Sequence, residues 1–208
     1  MLDFAKFGVG TAYVTPFLDE KIEMYREAGV KTYFGGTLFE KFYSQDKIKA
    51  YCAYMKSHDV KIVEVSTGTL DIPLAKRIEL VKFFIDEGFE VLSEVGTKDA
   101  EAIMSPSSWI HEINSLMEAG SSYVITEGRN SGTAGIFRPS GELRTGLIAD
   151  ILQNCDVDRL IFEAPVAHSQ MFFIKLVGAN VNLGNINPKD LLLLEAQRLA
   201  LRSETFYI

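Results

Sequence analysis

The chain has 208 residues, of which 47% are hydrophobic and 24% charged, an ordinary balance for a globular protein that excludes extended disorder. Its net charge of -7 argues against nucleic acid or an anionic membrane surface as the main partner. Cys52 and Cys155 form no C-x-x-C pair, and no apolar run approaches the roughly 18 residues of a membrane helix, so we expect a cytoplasmic protein with free thiols.

Strand and helix patterns alternate seven times along the chain. The predicted strands are 2–8, 31–34, 61–65, 90–95, 122–127, 159–163 and 180–186. The predicted helices that follow them are 15–28, 38–57, 74–87, 107–118, 141–153, 168–177 and 188–200. We assign Phe172, Phe173 and the leucines 191–194 to the core. This alternation, without any strand-only segment, indicates parallel strands joined by helical crossovers.

A doubly wound sheet and a (β/α) barrel both fit this alternation. We favour an α/β fold of the TIM-type (β/α) barrel class, because polar residues follow nearly every strand, whereas an open sheet concentrates them at one switch point. We expect one barrel domain over residues 1–208 that lacks the first strand-helix unit, since an eight-fold barrel usually takes ~250 residues. A barrel one unit short exposes two strand edges, which favours a homo-oligomer.

An apolar residue, a skipped position and a glutamate recur at the ends of four predicted strands. The four pairs are Ile62 and Glu64, Leu92 and Glu94, Ile125 and Glu127, and Ile161 and Glu163. Because side chains alternate along a strand, both members of a pair lie on the same face. In adjacent parallel strands the glutamates would form a polar ring directly above an apolar layer. The corresponding positions of three other strands hold Lys6, Gly35 and Asn185.

Four carboxylates at one opening would repel one another unless cations compensate their charge. Mg²⁺ prefers oxygen ligands, commonly one or two carboxylates with waters and substrate oxygens, so only some of the glutamates need to bind it. Lys6, Lys98 and Arg129 could neutralise the others. A second interpretation stays open, in which the glutamates form buried salt bridges that stabilise the rim of the barrel.

Two loops after predicted strands carry further candidate groups. Lys98 follows the strand 90–95 and could exchange protons with a substrate, although a surface lysine is an equal alternative. The loop 129–135 begins with Arg129 and continues with Ser131 and Gly132. Such a loop can turn backbone N–H groups and a guanidinium toward a phosphate, carboxylate or sulfonate, or it can be a plain connector.

At these strand ends the chain resembles the phosphosulfolactate synthase family over essentially its whole length. The matching segments include Asp3-Phe4-x-Lys6-Phe7-Gly8, Gly35-Gly36-Thr37-Leu38-Phe39-Glu40, Glu64-x-Ser66-x-Gly68-Thr69, Ser93-Glu94-Val95-Gly96-x-Lys98, Glu127-Gly128-Arg129-x-Ser131-Gly132, Ile161-Phe162-Glu163-Ala164-Pro165 and Val181-Asn182-Leu183-x-Asn185-Ile186. The resemblance implies a (β/α)₈ barrel and a carbon-sulfur lyase that adds sulfite to phosphoenolpyruvate with Mg²⁺, a step of coenzyme M biosynthesis.

The strand-end pattern and the resemblance together give each candidate a role. The expected catalytic residues are Lys98, Glu94 and Lys6, with Lys98 as the proton donor. The expected Mg²⁺ ligands are Glu64, Glu127 and Glu163. The expected substrate-binding residues are Arg129, Ser131, Gly132, Asn185, Gly35 and Gly36. The expected partners are the small anions phosphoenolpyruvate and sulfite.

Several positions depart from the residues usual in that family, namely Val9, Thr67, Thr97, Asn130 and Ala167. A second hypothesis is therefore a member that kept the fold but acts as a binding or stress-associated protein, as the family's plant heat-stress branch suggests. A third is an aldolase that forms a Schiff base through Lys6.

Overall fold

The structure, a computed structural model, describes residues 2–97, 104–129 and 131–206. Its strands are β1 (Phe4–Phe7), β2 (Lys31–Phe34), β3 (Ile62–Val65), β4 (Glu90–Val95), β5 (Tyr123–Thr126), β6 (Leu160–Glu163) and β7 (Leu183–Gly184). Its α-helices are α1 (Leu18–Glu27), α2 (Gly36–Tyr43), α3 (Ile48–Ser57), α4 (Leu74–Asp86), α5 (Pro106–Glu118), α6 (Thr145–Asn154), α7 (Ala167–Val177) and α8 (Leu191–Arg198). Within these ranges, no helix combines the length and the apolar character that a membrane crossing requires.

The chain forms two compact units. Unit 1 comprises Met1–Val95 and Asn114–Tyr123, and unit 2 comprises Gly96–Ile113 and Val124–Ile208. In unit 1, β1, β2, β3 and β4 pair in chain order, and every pairing is parallel. In unit 2, β5, β6 and β7 pair in the same manner. Parallel strands alternating with helices are the predicted (β/α) arrangement, and a single domain over 1–208 stays a prediction.

The strand register decides which strand-end residues lie at the same level. Ile125 in β5 pairs with Ile161 in β6, so we expect the glutamates that follow each of them at the same spacing to be level as well. Between β3 and β4, in contrast, Glu64 pairs with Leu92. The paired isoleucines of β5 and β6 agree with the predicted apolar layer, and the alignment of Glu127 with Glu163 above it stays a prediction. For β3 and β4 the predicted alignment is wrong, because neighbouring strands in a barrel are staggered.

Aromatic side chains form much of the core of unit 1. Phe39 on α2, Tyr51 on α3 and Phe84 on α4 are fully buried. Their ring centroids lie 5.9 to 6.1 Å apart, with the planes steeply inclined to one another. Edge-to-face aromatic pairs of this kind add to the free energy gained from burial. The cluster therefore fixes α2, whose first turn reaches the candidate site.

The predicted helix 38–57 is in fact two helices, α2 and α3. Asp46 between them has a left-handed backbone with φ 55°, which Asp tolerates better than most residues. The Lys47 amide then donates to the Phe42 carbonyl, and the Asp46 amide to the Tyr43 carbonyl. This is the Schellman pattern that ends a helix, which explains why the single-helix prediction was wrong.

In unit 2 the core assignment of the leucines 191–194 is only partly correct. Leu194 is buried, but Leu192 is 88% exposed and Leu193 is 40% exposed. Four consecutive residues of an α-helix point in four directions about 100° apart, so one face cannot bury them all. The assignment of Phe173 is confirmed, since its ring stacks on that of buried Phe162 at a centroid distance of 4.5 Å.

Cys52 and Cys155 are both free thiols. Burial raises the pKa of Cys155 to about 11, and it raises the pKa of Cys52 as well. Because only the thiolate attacks alkylating agents, about one Cys155 side chain in a thousand is reactive at pH 8. We expect iodoacetamide to label both residues far more slowly in the folded protein than in guanidinium, as followed by mass spectrometry. Equal rates in the two conditions would contradict this prediction.

Candidate functional site

The carboxyl ends of β1, β2 and β3 bring four predicted site residues of unit 1 together. Glu64 is 2% exposed, and its Oε1 accepts a hydrogen bond of 2.6 Å from the Gly36 amide. Its Oε2 lies 3.7 Å from the Lys6 ammonium. The stem of Lys6 passes beside Gly35, where an added Cβ would lie 3.4 Å from Cδ of Lys6. Gly35, Gly36 and Glu64 are therefore buried in one cluster, and the half-buried Lys6 lies at its edge.

Gly36 is a glycine because no side chain fits at the start of α2. A Cβ built there would lie 2.1 Å from Oγ of Ser66 and 2.8 Å from Oε1 of Glu64. Gly36 is the first residue of α2, and its amide belongs to the first turn, where N–H groups have no partner within the helix. The Glu64 carboxylate satisfies this amide and also meets the positive end of the helix dipole.

Glu94 and Lys98 complete the predicted catalytic set together with Lys6. Glu94 is buried in β4 with 2% of its surface exposed. Lys98 lies outside the described residues.

The Tyr51 hydroxyl is a further buried group, and it interacts electrostatically with Glu64. Burial raises the pKa of Tyr51, and the negative charge of Glu64 raises it further, so this hydroxyl stays protonated.

Unit 2 repeats the same contact at the ends of β5 and β6. The Gly128 amide donates to Oε2 of Glu163 at 3.0 Å, and the Arg129 amide donates to Oε1 of Glu127 at 2.5 Å. Both glutamates are buried. Glu64 at the end of β3 thus accepts from the Gly36 amide, which follows β2. In the same way, Glu163 at the end of β6 accepts from the Gly128 amide, which follows β5. These contacts are hydrogen bonds from backbone amides, whereas the alternative interpretation is one of buried salt bridges; among the ion pairs of the described residues, Lys6 with Glu64 is of that kind.

In the predicted anion-binding loop 129–135, the described residues, which are all except Asn130, are held by contacts within the loop and to the end of β5. The Gly132 amide donates to the Arg129 carbonyl, and the hydroxyls of Ser131 and Thr133 are 2.7 Å apart. Gly135 packs directly against the backbone of Glu127, where a Cβ would lie 1.9 Å from the carbonyl oxygen, so only glycine fits at this end of the loop. Arg129 is exposed and has a left-handed backbone with φ 54°. The structure thus brings Arg129, Ser131 and Gly132 into one small loop.

Asn185, the remaining predicted substrate-binding residue, directly follows β7. The register places Gly184 opposite Glu163, so Asn185 begins the loop beside that glutamate. Its backbone is left-handed with φ 58°. Non-glycine residues in this conformation often mark loops whose shape serves a site.

Three residues that the sequence analysis did not select support these loops. Arg144 donates to the carbonyls of Gly135 and Met104 at 3.1 and 3.3 Å, and burial lowers its pKa. Glu40 and Ser66 are buried and hydrogen-bonded to each other in unit 1. A sequence signal existed for Ser66, which lies two residues beyond Glu64 and so faces the same side of the strand.

Unit 1 offers one oxygen suited to a hard cation, and the Lys6 ammonium lies 3.7 Å from it. Oε2 of Glu64 is buried and accepts no hydrogen bond from any described residue. A carboxylate oxygen of this kind is a ligand that Mg²⁺ prefers, and one or two such ligands suffice when water and substrate supply the others. Across the described ranges, no group of three or more His, Cys, Asp or Glu residues could hold a metal by itself.

An open groove of about 710 Å³ lies elsewhere in unit 2, and its lining includes Arg138, Glu142, His168 and Phe172. None of the predicted site residues contributes to this lining. The groove is therefore distinct from the strand-end carboxylates of the same unit.

Solved structures with a similar fold include the BexX/CysO complex of Amycolatopsis orientalis, with a TM-score of 0.59, 14% sequence identity, and 98% of this chain and 80% of that chain covered. The YdjI aldolase of Escherichia coli K12 gives a TM-score of 0.53 at 14% identity, covering 99% of this chain and 72% of that one. At these identities the likeness concerns the fold alone, and it confirms the TIM-type (β/α) barrel class.

Sequence relatives are far closer. Phosphosulfolactate synthase of Bacillus subtilis (strain 168) is 45% identical over 210 residues, covering 100% of this chain and 83% of that protein. Phosphosulfolactate synthase of Methanocaldococcus jannaschii is 39% identical, covering 99% of this chain and 84% of that protein. The family model described as (2R)-phospho-3-sulfolactate synthase (ComA) matches residues 1–204. The chain therefore belongs to the phosphosulfolactate synthase family.

Proposed function

We propose that this protein catalyses the Mg²⁺-dependent addition of sulfite to phosphoenolpyruvate, which yields phosphosulfolactate. The observation that carries the proposal is membership of the phosphosulfolactate synthase family over nearly the whole chain. The cluster of half-buried Lys6 with buried Gly36 and Glu64 supports it, because charged groups at strand ends are where enzymes of this fold place their chemistry. Cytoplasmic location, a role in coenzyme M biosynthesis and homo-oligomerisation stay predictions.

The reaction forms one carbon-sulfur bond and transfers one proton. The sulfur of sulfite attacks the terminal methylene carbon of phosphoenolpyruvate, and the electron pair of the double bond moves toward the carbon that bears the phosphate. Lys98 then delivers a proton to that carbon. The phosphate stays attached, so nothing leaves, and the product contains all the atoms of sulfite and phosphoenolpyruvate together with that proton.

The chain's own residues bind and orient the anions in this scheme. Arg129, together with backbone N–H groups near Ser131 and Gly132, holds one anionic end of the substrate. Lys6 offers a second positive charge close to Glu64. Glu64 would be a ligand of the metal through its buried Oε2, with water and substrate oxygens as the other ligands. Glu127 and Glu163 as further ligands stay predictions. When bound, Mg²⁺ supplies a positive charge that stabilises the negative charge developing on the substrate carboxylate.

A second candidate function is binding without turnover. Glu64, Glu127 and Glu163 each accept a hydrogen bond from a backbone amide, so all three also serve to hold loops. Thr67, which departs from the family pattern, also holds a loop through hydrogen bonds. Its hydroxyl donates to the Leu70 carbonyl and accepts from the Ile72 amide. A family member that kept these contacts could bind an anion without catalysing addition.

The deciding experiment mixes the protein with Mg²⁺, phosphoenolpyruvate and sulfite. We expect a phosphorylated sulfonate to appear in the ³¹P NMR spectrum and by mass spectrometry, and we expect EDTA to stop its formation until Mg²⁺ is restored. Reactions without sulfite or without protein serve as controls. Absence of product from a folded sample, with phosphoenolpyruvate still bound by calorimetry, would reject the synthase in favour of the binding protein.

A further inference from the structure

Glu40 is a buried carboxylate in α2, with 2% of its surface exposed. Its Oε1 accepts a short hydrogen bond from the Ser66 hydroxyl. Its Oε2 accepts two hydrogen bonds of 2.8 Å, from the amides of Thr69 and Leu70. A carboxylate has only acceptor sites, and this one receives three donors from a single loop. Hydrogen bonds to a charged acceptor are stronger than those between neutral groups.

The segment that Glu40 holds is the loop between β3 and α4. Within this loop, the Thr67 hydroxyl donates to the Leu70 carbonyl and accepts from the Ile72 amide. The Arg77 guanidinium donates to the Ile72 carbonyl at 3.1 Å. The loop is therefore fixed by contacts from two helices as well as from within. Loops after the strands of a (β/α) barrel carry its functional groups, so a fixed loop here has a direct use.

Glu40 reaches the candidate site through Ser66 and Gly36. Ser66 lies two residues beyond Glu64 and is buried. Its hydroxyl lies so near Gly36 that a Cβ built on this glycine would be 2.1 Å from Oγ of Ser66. The same added Cβ would also meet Oε1 of Glu64. Glu40, Ser66, Gly36 and Glu64 thus form a continuous buried series from α2 to the end of β3. The Ser66 hydroxyl and the Glu64 carboxylate pack around the same glycine, at 2.1 and 2.8 Å from its added Cβ.

From this series we propose that Glu40 is a positioning residue for the reaction proposed above, on which this inference rests. Glu40 does not touch the substrate. It holds Ser66 and the loop after β3 in place, and thereby keeps the Glu64 carboxylate in the orientation that the reaction needs. The Gly36 amide fixes one oxygen of Glu64 from α2, and Glu40 fixes the loop from the same helix.

The test compares Glu40→Gln and Ser66→Ala with Glu79→Gln, a change at an exposed glutamate on α4. In Glu40→Gln, the new side-chain amide oxygen can accept from Thr69 and Leu70, but the new NH₂ group can only donate, so the Ser66 hydroxyl has to turn its proton away and the charge that strengthened all three hydrogen bonds is lost. We expect Glu40→Gln to remain folded, with kcat lowered about tenfold to a hundredfold and KM for phosphoenolpyruvate changed little. Ser66→Ala should lower kcat in the same direction, and Glu79→Gln should leave both constants unchanged.

The outcomes separate this inference from the proposed function. If the wild type forms no product, the proposed function is wrong and the positioning role falls with it. If the wild type is active and folded Glu40→Gln has the same kcat, only the positioning role is rejected. A purely structural role predicts loss of activity in proportion to the unfolded fraction, with kcat per folded molecule unchanged, and circular dichroism on the same samples measures that fraction.

Discussion

Lys98→Ala should lower kcat for sulfite addition by about a hundredfold to ten-thousandfold, the usual contribution of a positioned proton donor. In the proposed reaction, the proton that completes the product has to arrive on the carbon next to the attacked methylene, and alanine cannot deliver it. In the sequence Lys98 comes shortly after β4, the strand that contains buried Glu94, and the segments that follow the strands of this fold carry its active groups. We expect KM for phosphoenolpyruvate to change much less than kcat.

Lys82→Ala is the matched control for this prediction, because Lys82 is an exposed lysine on α4, away from the strand ends. Its removal should leave kcat and KM unchanged. A small primary amine added to the Lys98→Ala protein should restore part of the rate if the missing group is a proton donor. Full activity in Lys98→Ala, alongside an active wild type, would show that another group donates the proton.

The alternation of elements and the strand-end glutamates could be predicted because both follow from local rules. Apolar runs with flanking turn residues predict buried strands, and the two-residue period assigns each glutamate a face. Glu64 and Glu163 are indeed buried at strand ends. The stagger between β3 and β4 could not be predicted in this way, because register depends on how strands pair and no single strand encodes it.

The roles of Glu40 and Thr67 could not be predicted from the sequence for a related reason. Glu40 lies 26 residues before Ser66 in the chain, and its partners come together only after α2 packs beside β3. A glutamate in a helix is usually exposed, so nothing local distinguishes it. In the sequence, Thr67 stands out only because the family usually has a different residue at this position. The structure gives it a definite use, since its hydroxyl holds the loop from within.

Helical geometry and local composition account for two differences between the predicted and the observed helices. Leu192 is exposed because consecutive helical residues diverge, and buried Leu194 and Gln197 have the three-residue spacing that one face requires. The division of the predicted helix 38–57 follows from left-handed Asp46, and Ser44, Gln45 and Asp46 form a polar break between two apolar stretches. The sequence therefore contained a signal for both features, although the helical pattern obscured it.

Gly36→Ala is expected to damage both stability and activity, because the new methyl group would occupy space that Ser66 and Glu64 already fill. The added carbon would lie 2.1 Å from one side-chain oxygen and 2.8 Å from the other, so both residues must move. Overpacking of this kind typically costs about 1–3 kcal/mol of unfolding free energy. Displacing the Glu64 carboxylate should lower kcat about a hundredfold, since misplacement by about 1 Å has that effect on catalysis.

Gly146→Ala provides the matched control, because Gly146 also lies in the first turn of a helix, α6, and an added Cβ there meets nothing within 4 Å. Alanine favours a helix over glycine by about 0.5–1 kcal/mol, so this variant should be as stable as the wild type or slightly more stable, and fully active. Urea unfolding and initial rates on the same preparations measure both effects. If Gly36→Ala matched Gly146→Ala in both measurements, the close packing of Gly36 against Glu64 and Ser66 would have no part in the reaction. If only Gly36→Ala loses both activity and stability, the position of the Glu64 carboxylate depends on the packing at the start of α2.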